Sequence, residues 1–177
     1  MTSRVLYLIG CAAPPVEQVR TAAQLSMDAG WDVCLCLTPS AARWVESELV
    51  ELESLTGHPV RVEYRLPGTE RGWPPADAVL AAPTTFNTMN KWAQGVADTL
   101  ALGLLTEAIG LDVPVVSLPY LNRAQARHPA WDASVALLRG AGVTVLLGEG
   151  GFVPHVPKHG DAAAFPWHAA LRALPAT

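Results

Sequence analysis

Short, almost wholly apolar runs alternate along this chain with longer stretches of helical spacing. Residues 5–9 form the first run and end at Gly10, and residues 16–29 then carry apolar positions at helical intervals up to Gly30, a C-cap signal. Residues 31–37 repeat the strand pattern. Thr38-Pro39-Ser40 opens a helix through about Leu49, with Pro39 in the first turn, where a missing N–H costs nothing. Residues 60–64 alternate weakly and predict a short strand, and residues 66–75, rich in Pro and Gly, predict a loop. The alternation resumes with strand 78–82, helix 87–109, strand 113–118, helix 130–141 and strand 143–147. Strands that are apolar on both faces and separated by helices predict an α/β fold, a doubly wound parallel sheet in three layers. Residues 148–177, rich in Gly, Pro and His, predict a loop and a short helix at 167–174. No repeat or linker divides the 177 residues, so the whole chain, 1–177, is expected to form one domain.

Composition narrows the function classes. Half of the residues are apolar and 16% are charged, which points to subunit interfaces as well as a core. The net charge of −4 argues against a nucleic-acid partner, which calls for a basic face. No apolar run has the length of a membrane span, and the N-terminus shows no basic stretch followed by a long apolar one, so a cytoplasmic protein without membrane contact is expected. Cys11, Cys34 and Cys36 are odd in number and fall in or next to apolar strands, as reduced core thiols do. Cys34-Leu35-Cys36 has no second cysteine pair to complete a zinc site.

In such a sheet, ligands sit beyond the carboxyl ends of the strands, where strand order reverses. Four strand ends carry suggestive residues. Gly10-Cys11-Ala12-Ala13 is small enough for close approach to the backbone, and it lacks the full dinucleotide fingerprint of a nicotinamide site. Thr38 and Ser40 are either an N-cap alone or a hydroxyl pair facing a phosphate. Pro83-Thr84-Thr85-Phe86-Asn87-Thr88 holds three hydroxyls and an amide, more than one helix start needs, and suits an anion at a helix N-terminus. Asn122, after the strand at 113–118, is either a turn former or a donor and acceptor facing a ligand. Residues 148–157 form either a flap that brings His155 to the site or a surface turn. A metal pair at His155 and His159 is excluded, because Pro157 and Gly160 bar the helix it needs.

The segment Pro83-Thr84-Thr85-Phe86-Asn87-Thr88 resembles the Pro-Ala-Ser-Ala-Asn-Thr signature of the homo-oligomeric flavin-containing cysteine decarboxylases. That family includes phosphopantothenoylcysteine decarboxylase and the peptidyl-cysteine decarboxylases of lanthipeptide and linaridin biosynthesis. The stretch from Lys91 through Gly95 and Asp98 to Leu100 is similar to the family's Lys-x-Ala-x-Gly-x-Ala-Asp-Asn-Leu. Pro119-Tyr120-Leu121-Asn122 matches the first half of Pro-x-Met-Asn-x-x-Met-Trp with both methionines and the tryptophan replaced, and His128-Pro129-Ala130 is similar to the family's Asn-Pro-Ala.

The resemblance implies a Rossmann-like, flavodoxin-like fold that binds FMN. It places Gly10, Cys11 and Ala12 along the first flavin loop and Thr38 and Ser40 at the phosphate or ribityl chain. Thr85, Phe86, Asn87, Thr88 and Leu118 fall among its cofactor-binding positions, and Asn122 at the substrate carboxylate. It further implies a homotrimer or homododecamer and a peptide or small-molecule thiol substrate. The expected reaction is oxidative decarboxylation of a C-terminal peptidyl cysteine or a similar thiol acid. The alternative is a flavin-binding oxidoreductase or cofactor-binding protein of the same fold without that activity. The family's catalytic histidine falls near Thr69, within Thr69-Glu70-Arg71-Gly72-Trp73, which holds no His, and His58 is the nearest upstream substitute. The C-terminal flap also lacks the cysteine that phosphopantothenoylcysteine decarboxylase uses as a proton donor.

Overall fold

The computed structural model describes residues 4–66, 68 and 72–176. Five parallel strands, β1 (Arg4–Gly10), β2 (Trp31–Leu37), β3 (Ala78–Thr84), β4 (Val115–Pro119) and β5 (Thr144–Val145), form one sheet in the order β2-β1-β3-β4-β5. This is the flavodoxin-like order, with its reversal between β1 and β3. The central strands are buried on both faces, which is why they read as continuous apolar runs: all seven residues of β3 are buried, as are five of the seven in β1.

Among the described residues eight α-helices accompany the sheet: α1 (Val19–Asp28), α2 (Pro39–Trp44), α3 (Leu49–Thr56), α4 (Phe86–Ala93), α5 (Leu100–Gly110), α6 (Arg123–Ala126), α7 (Pro129–Gly140) and α8 (Trp167–Arg172). Leu6, Leu8, Ile9, Leu35, Leu37 and Leu80 are fully buried at the centre. Each such side chain contributes about 1.5–3 kcal/mol by leaving water.

Several predicted boundaries shift. The first helix is preceded by a 3-10 turn at Pro14–Gln18, which the Val16 N–H closes on Ala13 O at 2.8 Å. The helix expected to run to about Leu49 stops at Trp44 and resumes as α3 after a 3-10 turn at Glu46–Glu48. The helix expected over residues 87–109 is two helices. Gly95, in the left-handed region at φ 72°, ends the first, and the Thr99 hydroxyl caps the second by accepting from the Leu102 N–H at 3.3 Å. The weak strand at 60–64 reduces to a bridge at Arg61, which pairs with β2 through Leu37 N and Leu35 O at 2.9 and 3.0 Å. The strand at 143–147 shortens to Thr144–Val145, and the last helix ends at Arg172.

The strand ends are tied to one another. Cys11 N donates to Pro83 O at 2.9 Å, Thr38 N to Gly10 O at 3.0 Å, and Tyr120 N to Thr84 O at 2.9 Å. Beneath them the buried hydroxyls of Thr84 and Ser117 pair at 3.0 Å between β3 and β4, and Ser117 also reaches the Met89 sulfur at 3.3 Å. Polar groups are thus satisfied directly under the carboxyl edge of the sheet, and that edge is held in place.

Candidate active site

Above this edge lies a cleft of about 740 Å³. It opens at the β1/β3 reversal, where the turns following parallel strands leave a crevice. One wall is the loop after β1, Cys11 to Pro14. A second is Thr38 to Ser40 after β2, and a third is Thr85 to Thr88 after β3. The fourth comes from Tyr120, Leu121 and Asn122 after β4, joined by Gln125 and His155.

The β3 wall is built by its own hydrogen bonds. The Thr85 hydroxyl accepts from the Thr88 N–H at 3.1 Å, so it caps α4 and leaves the next backbone N–H groups of the first turn free for an anion. The same hydroxyl donates to the Thr88 hydroxyl at 3.0 Å. Phe86 is clamped between His128, edge-on at 5.5 Å, and Trp131, stacked at 6.0 Å, and forms a rigid apolar face. Across the cleft the Thr38 hydroxyl caps α2 through the Ala41 N–H at 3.3 Å, and the Ser40 hydroxyl accepts from Arg43 at 2.9 Å. Asn87 stands exposed on the rim.

Cys11 is fully buried at the floor. Burial pushes its thiol up to about 11, with the neighbouring Thr88 hydroxyl and Thr85 backbone N–H pulling the other way, so the floor is neutral at physiological pH. Burial likewise raises Tyr120, assisted by the charge of Asp161.

Asn122 is both structural and free to act. Its side-chain oxygen accepts from Ala124 N at 2.9 Å and Gln125 N at 3.0 Å, while Gln125 reaches back to the Asn122 N–H at 3.2 Å, a capping box on α6. With the oxygen so used, the side-chain NH2 has no hydrogen-bond partner among the described residues, and Asn122 is part of the cleft lining.

The structure therefore gathers Cys11, Ala12, Thr38, Ser40, Thr85, Phe86, Asn87, Thr88 and Asn122 around one cavity. Three expected positions are not among its lining. Gly10 lies beneath it, where an added Cβ would meet Leu37 at 2.9 Å and Val16 at 3.2 Å, so this glycine serves close approach of chain to chain. Leu118 is fully buried and points into the core. His58 sits at the opposite, amino-terminal end of the sheet, where its Nε2 lies 2.7 Å from Asp32 Oδ1 at the start of β2. Positions 69–71, where the resemblance places a catalytic histidine, lie outside the described residues.

Sequence reasoning assigned no role to the wall that follows α4. Lys91 and Asp98 form an ion pair at 2.5 Å, and both line the cleft beside Thr99 and Leu102 at the start of α5. The signal was the Lys91-to-Leu100 motif itself, whose intervening turn folds the two charges together. Residues 148–157 are also strapped down rather than loose. Leu147 bridges Phe152, Asn122 bridges His155, and Arg123 N donates to His155 O at 2.8 Å.

A family profile described as flavoprotein matches residues 3–173, nearly the whole chain. The chain belongs to the flavoprotein family. Among curated relatives of this flavoprotein, mouse phosphopantothenoylcysteine decarboxylase is 38% identical over 72 residues, covering 41% of this chain and 34% of that protein. The chain spans about a third or less of the length of the curated relatives it matches. Among solved structures, the FMN-dependent cysteine decarboxylase TvaF from thioviridamide biosynthesis superposes with a TM-score of 0.68 at 25% identity, covering 80% of this chain and 88% of that one. The FMN-dependent cysteine decarboxylase SpaF, at 23% identity, shares the fold over 97% of both chains with a TM-score of 0.67.

Proposed function

We propose that the cleft binds FMN and that the protein is an oxidative decarboxylase of a cysteine at the C-terminus of a peptide, or of a similar thiol acid. The observation that carries this reading is the free NH2 of Asn122, held by its capping box on the wall of a cleft whose other walls suit a flavin nucleotide. The residues fit the cofactor. The first turn of α4 and the Ser40 hydroxyl suit the phosphate, the small Cys11–Ala12 loop leaves room for a flat ring, and Phe86 gives that ring an apolar face. FMN, when bound, supplies the sink for the electron pair removed from the substrate's Cβ–S unit.

The chain itself binds and orients. Asn122 donates to the substrate carboxylate through a side chain whose conformation is already fixed, so little entropy is lost on binding. The neutral floor at Cys11 keeps a second thiolate away from the substrate sulfur. The alternative, a flavin protein without decarboxylase chemistry, leaves that convergent donor without a task.

The same reading includes a homo-oligomer, a trimer or dodecamer, acting as one unit over the whole chain in the cytoplasm. It is supported by large apolar side chains left exposed, among them Trp44 at 51%, Val50 at 75% and Leu111 at 71%. No helix among the described residues is long and apolar enough to cross a membrane. The test is to mix the purified, FMN-loaded protein with peptides ending in cysteine and follow their mass. Loss of carbon dioxide and two hydrogens supports the reading, and unchanged peptides across a varied set overturn it.

A further inference from the structure

A thiol substrate needs a group to take its proton, and the candidate upstream of β3 is remote: His58 is engaged by Asp32 at the far end of the sheet. Among the described residues that line the cleft, His155 is the one imidazole. It reaches the site from the segment after β5, fixed by the Asn122 bridge and by Arg123, whose backbone N–H donates to His155 O and whose Nε donates to Pro154 O at 3.2 Å.

The ring is oriented as well as delivered. Nδ1 lies 2.8 Å from the Val156 carbonyl oxygen. A carbonyl only accepts, so Nδ1 carries a proton, which selects the tautomer whose lone pair is at Nε2. Tyr120 lies alongside at 5.0 Å between ring centroids, with Phe152 behind it. Gly160 packs against the Nε2–Cε1 edge: a Cβ there would stand 2.1 Å from the Tyr120 hydroxyl and 2.9 Å from Nε2, so a side chain at this position would push the two rings aside. A ring in this tautomer is a proton acceptor at Nε2. To bind a carboxylate through that atom it would first have to be protonated.

We propose that His155 is the proton acceptor for the substrate thiol, an inference that rests on the thiol-acid reading of the cleft. The S–H bond breaks, the proton moves to Nε2, and the bonding pair stays on sulfur as a thiolate beside an imidazolium whose Nδ1–H remains on Val156 O. Asn122, one bridge away, holds the carboxylate of the same residue.

The test uses His155→Asn, which can keep a donor toward Val156 O while removing the acceptor, with His159→Asn on the neighbouring exposed histidine as control. In FMN-free protein, a cysteine-terminated peptide should raise the ultraviolet thiolate absorbance with wild type and with His159→Asn, and not with His155→Asn. In the FMN-loaded enzyme, His155→Asn should lower kcat by about 100-fold or more, the ordinary worth of a positioned acid or base, with FMN affinity unchanged. Equal thiolate signal and turnover in His155→Asn would overturn the proposal while leaving the decarboxylase reading intact. If the variant loses peptide binding itself, His155 is a binding residue and the proposal fails. If wild type neither binds nor converts any cysteine-terminated peptide, both readings fall together.

Discussion

His58 and Asp32 are hydrogen-bonded, Nε2 to Oδ1 at 2.7 Å, at the amino edge of the sheet while the cleft opens at the carboxyl edge. The pair joins the end of α3 to the start of β2, and the two side chains are 24% and 31% exposed. A contact so placed acts on stability and not on the chemistry of its own protomer's cleft. His58→Gln should therefore cost no more than about 1 kcal/mol, the usual ceiling for a solvated pair, and leave FMN affinity unchanged. Denaturant titration and flavin titration of the same variant check both halves.

Asn122→Asp separates the two duties of Asn122. The aspartate keeps an oxygen for Ala124 N and Gln125 N, and its charge suits the N-terminus of α6, so folding should be preserved. It removes the NH2 donor and sets a negative charge against the substrate carboxylate. Retained FMN binding with turnover reduced by about 100-fold or more is the expected outcome, in line with losing a charge-assisted hydrogen bond and adding repulsion. Steady-state kinetics beside a flavin titration reads it.

The three cysteines should make the protein sensitive to alkali. Burial pushes Cys11 up to about 11 and Cys34 and Cys36 up to about 12 from an ordinary value of 9.0. The folded state therefore holds these protons more tightly than the unfolded chain. That contribution is fully present below pH 9 and is lost as pH rises through 11 to 12. Thermal melts across this range should show falling stability, and Cys→Ser at Cys36 should flatten the fall. At neutral pH all three thiols should resist a thiol-specific reagent until the protein unfolds.

Much of the fold was legible because burial on both faces writes itself as apolar runs: β2 stands where residues 31–37 place it. What sequence spacing hid were interruptions with local causes. The α4–α5 break depends on Gly95 adopting positive φ and on Thr99 capping, while the apolar spacing continues across the gap. At the site, hydroxyls at strand ends were readable because strand ends and helix starts are adjacent in sequence. His155 was readable only as an open choice, since its approach to Asn122 is a contact between segments far apart along the chain. Leu118, a position given by the family resemblance alone, lies on a strand buried at every residue and outside the cleft lining.

The central claim, FMN-dependent decarboxylation at a cleft organised by Asn122, is tested most directly by the mass of a cysteine-terminated peptide after incubation with the FMN-loaded protein. The account predicts loss of carbon dioxide and two hydrogens with wild type, and the same loss slowed by about 100-fold or more with Asn122→Asp. A protein that gains the visible band of bound flavin yet leaves every such peptide unchanged would contradict it.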